Sequence, residues 1–396
     1  MIMLIIQKGL KSLQLKLNEY VMSKNKKETV SNSAFTQARA KLKYTAFIEM
    51  NQKCIVDVVY GDEDYKKYKG MRVVAIDGSK IILPQEDDII AEFGEVSYGS
   101  ENTFTQGTYC YAMASVLYDV LNHIAIDSSL NKAKSSEIDL AVKHSEFIGE
   151  NDLLICDRGY PSYHYLSHLI QGNKKFVMRC SSASFKEARE MLKGKGSADR
   201  VVTLKPSHAR AKEIRELNLP GKIKVRFVRV KLDTGEYEVL VTNLFDKEEF
   251  PTEEFKTIYY MRWGIESFYA VLKTRLNLEN FSGKTAHSVY QDFYSTVYIS
   301  GLESILISDV DEEMANRDTK NDLQVNHNVS FNAIKNQALK LLLSEGNLST
   351  DELIEQLENL FRTSPISINP EKKVFRRNTS DYQLLQYHKR KKKICF

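Results

Sequence analysis

Two aspartates each close a short, wholly apolar run: Val73-Val74-Ala75-Ile76-Asp77 and Leu153-Leu154-Ile155-Cys156-Asp157. Apolar runs of this length are what strands buried on both faces look like, and strand ends on a rigid sheet are good places for reacting groups. A third acid, Glu266, lies on a helical segment that carries two stripes at 3,4,3,4 spacing. Ile258, Met261, Ile265, Phe268 and Leu272 form the apolar stripe, and Tyr259, Arg262, Glu266, Tyr269 and Lys273 form the other, rotated by ~100° so that it runs along the edge of a core. If the two strands are sheet neighbours, Asp77 and Asp157 approach each other and Glu266 closes a three-carboxylate cluster. Such a cluster stays ionised only beside cations. Carboxylate and water ligands select Mg²⁺ or Mn²⁺ over zinc, and two ions ~3.5 to 4 Å apart would clamp the attacking and leaving oxygens of a phosphodiester. Each signal also has a plainer meaning. An Asp-Gly after a strand is more often a turn than a ligand, an exposed Arg262/Glu266 pair stabilises its helix by only ~0.3 to 0.5 kcal/mol, and Asp127, ending Ala125-Ile126-Asp127, competes with Asp77.

The elements that would have to position these acids follow from periodicity. Residues 7–50 read as helices, including a short basic one at Phe35-Thr36-Gln37-Ala38-Arg39-Ala40-Lys41-Leu42. Met71–Asp77 continuing into Lys80–Leu83, then Thr108–Val120 and His123–Asp127, read as extended segments with turn chemistry at Asp77-Gly78 and Asp119 to Asn122. With the first two counted as one bent strand, they make an antiparallel meander. A helix framed by Ser136 and Asp139, a buried strand over Leu153–Cys156, a helix over Tyr163–Ile170 and a strand over Lys175–Cys180 complete a βββαβαβ order. That order predicts an α/β fold: an RNase H-like mixed five-stranded sheet with helices. Val201–Leu204, Ile223–Lys231 and Tyr237–Thr242, with a turn at Asp233-Thr234-Gly235, predict a β-rich insertion subdomain. One long helix is expected from Thr252 to about Thr274, and Ser349-Thr350-Asp351-Glu352 is a capping box in a helical C-terminal region.

The expected domains are a helical N-terminal DNA-binding region (1–65), a catalytic domain in two parts (66–182 and 251–310) split by the insertion (183–250), and a helical C-terminal region with a basic tail (311–396). The 396 residues, 42% hydrophobic and 27% charged, have the balance of a globular protein with a sizeable core, which excludes collagen-like and low-complexity chains. Five scattered cysteines, none in a Cys-x-x-Cys pair, encode neither a disulfide framework nor a thiolate zinc site. The apolar start, Met1–Ile6, is far short of the ~20 residues of a spanning helix. We therefore expect a cytoplasmic, nucleoid-associated protein with no membrane partner.

The net charge of +4 hides segregation. Residues 1–50 carry +6, residues 200–231 carry +8 and residues 371–396 carry +7, which leaves −17 elsewhere. Separate basic segments suit a long polyanion held at several points, and nucleic acid is the obvious one, although any single segment is as readily a solvated surface. The run Lys389-Arg390-Lys391-Lys392-Lys393 reads as a tail that adds nonspecific, salt-dependent affinity.

Tyr259-x2-Arg262-x3-Glu266-x6-Lys273 resembles in full the Y-R-E-K signature of DDE transposases of insertion sequence family four. Ile76-Asp77-Gly78-Ser79 and Cys156-Asp157-Arg158-Gly159-Tyr160 are similar to that family's first and second acidic boxes, which favours Asp77 over Asp127. The likeness covers about residues 33–300. It implies a metal-dependent transposase that binds terminal inverted repeats, cuts the element free and joins its 3′ ends to target DNA, as a homodimer that pairs two ends. It further implies Asp77, Asp157 and Glu266 as the triad for two Mg²⁺ or Mn²⁺ ions, with Tyr259, Arg262 and Lys273 on element-end DNA. Arg158 is a weaker candidate for the same phosphate work. A different class remains open, a catalytically inactive, element-derived DNA-binding protein or repressor, and so does a simple RNase H-like nuclease.

There are departures and minor features. The only tryptophan, Trp263, lies inside the signature helix, so Phe227 or Tyr237 would have to serve as the insertion-domain aromatic for a flipped base. Little chain precedes Ser33, which suggests reduced end recognition or a truncated start. His164 and His168, spaced i,i+4, lack a third ligand and are expected to hold no metal. The Ser349–Phe361 helix is a candidate contributor to dimerisation.

Overall fold

β1 (Arg72–Ile82) begins with the apolar run ahead of Asp77, and β5 (Asp152–Cys156) is made of the run ahead of Asp157. Val73, Val74, Ala75 and Leu153 to Cys156 have no measurable exposure, as central strands covered on both faces require. The structure is a computed structural model that describes residues 1–8, 12–23, 29–99, 106–232, 234–343 and 349–368. The basic run at 389–393, Cys395 and Asp233 of the expected hairpin turn lie outside the described residues.

The chain forms two compact units, one of Asp62–Ser79 and Met113–Tyr269, the other of Met1–Gly61, Lys80–Ala112 and the chain from Ala270 onwards. The remaining strands of the main sheet are β2 (Glu95–Tyr98), β3 (Gly107–Asp119), β4 (Ile124–Asn131), β6 (Lys175–Arg179), β7 (Asp199–Leu204), β8 (Ile223–Lys231) and β9 (Tyr237–Thr242). Their order is β3-β1-β5-β6-β9-β8-β7, with β4 and β2 each paired to β3. β1, β5 and β6 are parallel neighbours, whereas β3/β4 and β6/β9 are antiparallel. The expected five strands are therefore present in the order β4-β3-β1-β5-β6, an RNase H-like mixed sheet.

Two details differ from expectation. Asp77-Gly78 is not a turn, because β1 runs through it without interruption. The strands of the β-rich insertion continue the same sheet through β6/β9 pairing, whose register sets Met178 opposite Val241. The Asp119 turn is as expected: its Oδ1 accepts from Leu121 N at 2.9 Å and Asn122 N at 3.0 Å.

The expected Thr252–Thr274 helix is two helices, Glu254–Tyr260 and Trp263–Thr274. At the break the chain tightens: Arg262 N donates to Tyr259 O at 3.1 Å and Ile265 N to Arg262 O at 3.2 Å. The second helix comes close to the β3–β4 turn because Gly264 has no side chain; a Cβ there would meet Val120 Cβ at 3.0 Å. Tyr118 of β3 and Phe268 then stack with centroids 4.4 Å apart, a pairing that stabilises by ~0.5 to 1.5 kcal/mol beyond burial.

In the other unit the main element is the helix Ala286–Ala315, started by a Thr285/Ser288 capping box. Ser349 and Glu352 cap the Thr350–Thr363 helix as expected. Its apolar stripe, Leu353, Leu357 and Phe361, is buried within this chain, so that stripe is not an open dimer surface.

Candidate active site

Parallel pairing sets Ile76 opposite Cys156, so Asp77 and Asp157 follow at the same level on neighbouring strands. Side chains at successive strand positions alternate faces, and the two acids therefore share one face of the sheet. Asp77 Oδ1 accepts from Gly78 N at 2.9 Å. Burial pushes its carboxyl up to about 6 from the ordinary 3.8, against the Gly78 amide and Arg262, which lower it; the charges of Asp157 and Glu137 raise it further. A carboxyl in this position favours either a proton or a cation.

The signature residues come onto these acids. Tyr259, buried on the Glu254–Tyr260 helix, donates its hydroxyl to Asp157 Oδ1 at 3.1 Å. Arg262 is only 4% exposed; its Nη2 donates to Glu266 Oε1 at 2.7 Å, and its guanidinium lies over the rings of Tyr259 and Trp263. Arg262 Nε is buried without a partner. Tyr269, the stripe member outside the four-residue signature, donates to Asp77 O at 3.0 Å. Sequence inspection assigned it no role, although its place on the stripe was the signal that could have found it. Lys273 Nζ donates to Lys80 O at 2.7 Å, and Arg158 is exposed beside Asp157. Tyr259 and Arg262 thus each hold one acid of the site.

Asp127, the alternative to Asp77, is committed elsewhere. Its Oδ2 is 2.6 Å from His144 Nδ1, and the far ring nitrogen of His144 is 3.0 Å from Ser115 Oγ. Ser115 and His144 are buried, which makes this a chain of satisfied polar groups. Phe227 is fully buried against Phe185, so it cannot stack a flipped base, whereas Tyr237 is 37% exposed.

Several basic residues are also internal. Arg226, one of the charges in 200–231, is fully buried and binds Asp199 through Nε and Nη2 at 3.1 and 2.9 Å, and the carbonyls of Leu244 and Phe250. Arg39, on the N-terminal basic segment, is buried against Asp292 at 2.9 Å and Gln291 at 2.7 Å. These two residues hold the fold and leave their neighbours to any polyanion.

Asp77, Asp157 and Glu266 offer only oxygen donors, which fits a hard divalent cation. The desolvated carboxyl of Asp77 and a buried, unpartnered hydroxyl at Tyr160 fit the same chemistry. Among the described residues, no group of three or more His, Cys, Asp and Glu side chains, that of Asp77, Asp157 and Glu266 included, stands close enough to hold an ion as it is. Nor, among the described residues, is any helix long and apolar enough to cross a membrane.

The transposase InsG for insertion sequence element IS4 of Escherichia coli (strain K12) is 25% identical over 257 residues, 64% of this chain and 55% of that protein. The chain thus spans about half the length of this curated relative. A cryo-EM structure of the piggyBac transposase synaptic complex with hairpin DNA matches 78% of this chain and 60% of that one, at a TM-score of 0.39 and 11% identity. The family model described as a transposase DDE domain matches residues 68–299, a span that begins just ahead of β1 and takes in Asp77, Asp157 and the helix-borne Glu266. More than half of the sequence lies inside that match, and the chain belongs to the transposase DDE domain family.

Proposed function

We propose that the chain is an insertion-sequence transposase that binds the terminal inverted repeats of its element, cuts the element free and joins the 3′ ends to target DNA. The observation that carries this reading is the β1/β5 register, which brings Asp77, within β1, level with Asp157, just past the end of β5. Asp77, Asp157 and Glu266 are the metal-binding and catalytic triad, and Mg²⁺ or Mn²⁺, as two ions, is the cofactor. When bound, divalent ions supply acidity to a water and then to a 3′ hydroxyl for in-line attack on phosphorus.

The chain's own residues prepare that site. Tyr259 fixes the rotamer of Asp157, and Arg262 holds Glu266 on the edge of its helix. Arg158, exposed beside Asp157, and Lys273 are the phosphate contacts to element-end DNA, Arg158 through a bidentate fork and Lys273 as a point charge. Tyr259 and Arg262 join them on the same DNA at the active acids. Residues 1–65 serve end recognition, and two copies pair the two ends.

The test uses a supercoiled plasmid bearing the element's ends, with Mg²⁺ and target DNA. Excision and strand-transfer products are expected, and Asp77→Ala or Glu266→Ala protein should yield neither. Unchanged cleavage by those variants would remove the catalytic assignment. A footprint on the repeats without metal-dependent cutting would indicate a noncatalytic DNA-binding protein, and cutting without joining would indicate a nuclease.

A further inference from the structure

A fourth carboxylate stands beside both acidic boxes. Glu137 is the first residue of the helix Glu137–His144, whose N-cap Ser136 accepts from Asp139 N. Its position is fixed by two glycines, one in each acidic box. A Cβ on Gly78, next to Asp77, would come within 2.6 Å of Glu137 Oε1, and a Cβ on Gly159, two residues after Asp157, would stand 3.8 Å from Glu137 Oε2. The carboxylate therefore sits between the two boxes with one oxygen toward each, in space that any side chain at Gly78 would take. Glu137 accepts no hydrogen bond and makes no ion pair among the described residues, although its charge reaches both Asp77 and Tyr160.

The second observation is independent of the acids. Tyr160 is 2% exposed, and its hydroxyl has no hydrogen-bond partner. Asp77, Glu137 and Tyr269 all act on that hydroxyl electrostatically. A buried phenol left unpaired costs ~1 to 3 kcal/mol, a cost removed if a water or an ion's hydration shell fills the space between it and the carboxylates.

We propose that Glu137 is a further metal-facing carboxylate of this site, and that the Tyr160 hydroxyl is a positioning group that donates to the water or carboxylate oxygen beside it. This rests on the assignment of Asp77, Asp157 and Glu266 as the metal-binding acids. Glu137 is exposed and carried by a helix separate from both strands, so its side chain can reach an ion without moving the sheet.

The experiment titrates the full chain with Mn²⁺ alone, without DNA, by calorimetry and by the electron paramagnetic resonance signal of free Mn²⁺. Glu137→Gln should bind Mn²⁺ about 10-fold or more weakly, with its circular dichroism and melting curve in chelator unchanged. Glu137→Asp should recover part of the loss. Tyr160→Phe should melt higher in chelator and gain less from Mn²⁺ than the parent protein. Wild-type titration by Glu137→Gln, alongside lost binding in Asp77→Asn and Asp157→Asn, would overturn the proposal and leave the triad intact. If Asp77→Asn and Asp157→Asn also titrate as wild type, it is the triad assignment that fails.

Discussion

Replacing Asp77 by asparagine isolates the electrostatic state of the site in a stability measurement. The carboxyl is held at about 6 in the folded chain against 3.8 ordinarily, chiefly by burial. Its folded value lies above its unfolded one, so the group stabilises the fold fully only below about pH 3.8, and that contribution is lost as pH rises toward 6. At 1.36 kcal/mol per pH unit, the ionised group costs about 3 kcal/mol above pH 6. Roughly 1 kcal/mol of this is already lost at pH 4.5, which leaves about 2 kcal/mol between pH 4.5 and 8. Asparagine keeps the shape and an acceptor for the Gly78 amide, but it does not titrate. Urea unfolding in chelator should therefore show Asp77→Asn gaining about 2 kcal/mol on the parent protein between those two pH values. Millimolar Mn²⁺ at pH 8 should narrow that gap, because only the parent can pair the charge with a cation. If the two proteins track each other within about 0.5 kcal/mol across the range, Asp77 is not desolvated and the cation argument loses its basis.

Arg39→Ala should cost about 3 to 5 kcal/mol by thermal or urea unfolding, since it leaves the fully buried Asp292 without its guanidinium. Tyr259→Phe removes one hydrogen bond to Asp157 and should cost only about 1 to 2 kcal/mol of stability, while excision assays on plasmid DNA fall further because Asp157 loses its fixed rotamer. Gly78→Ala should leave the melting temperature within a few degrees, because the side chain it displaces is the flexible end of Glu137, yet weaken Mn²⁺ binding in the same calorimetric titration.

The two aspartates were legible because apolar runs of four residues can be read directly and β1/β5 pairing then needed only the topology, although β1 continues past Asp77 to Ile82. The stripe from Tyr259 to Lys273 was legible for the same reason, yet its periodicity concealed a break at Met261 and Arg262, where i to i+3 hydrogen bonds preserve the facing of the side chains. Charge counting misjudged Arg39 and Arg226, because composition does not report which guanidinium is enclosed by carbonyls and a carboxylate. Glu137 escaped notice because nothing local marks it. Its place depends on two glycines, one about sixty residues upstream and one about twenty downstream in the sequence, coming together on neighbouring strands and the loop that follows. Asp127 and Asp77 end similar tripeptides, and only the tertiary contact of Asp127 with His144 separates them.

The β6/β9 ladder has a mechanical consequence. Main-chain hydrogen bonds run without a gap from β7 through β8, β9 and β6 to β5, the strand that ends just before Asp157. A hydrogen-bonded sheet resists stretching along that direction far more than a tethered module would. The edge strand β7 is therefore tied to the strand ahead of the second aspartate by main-chain ladders alone, with no intervening linker.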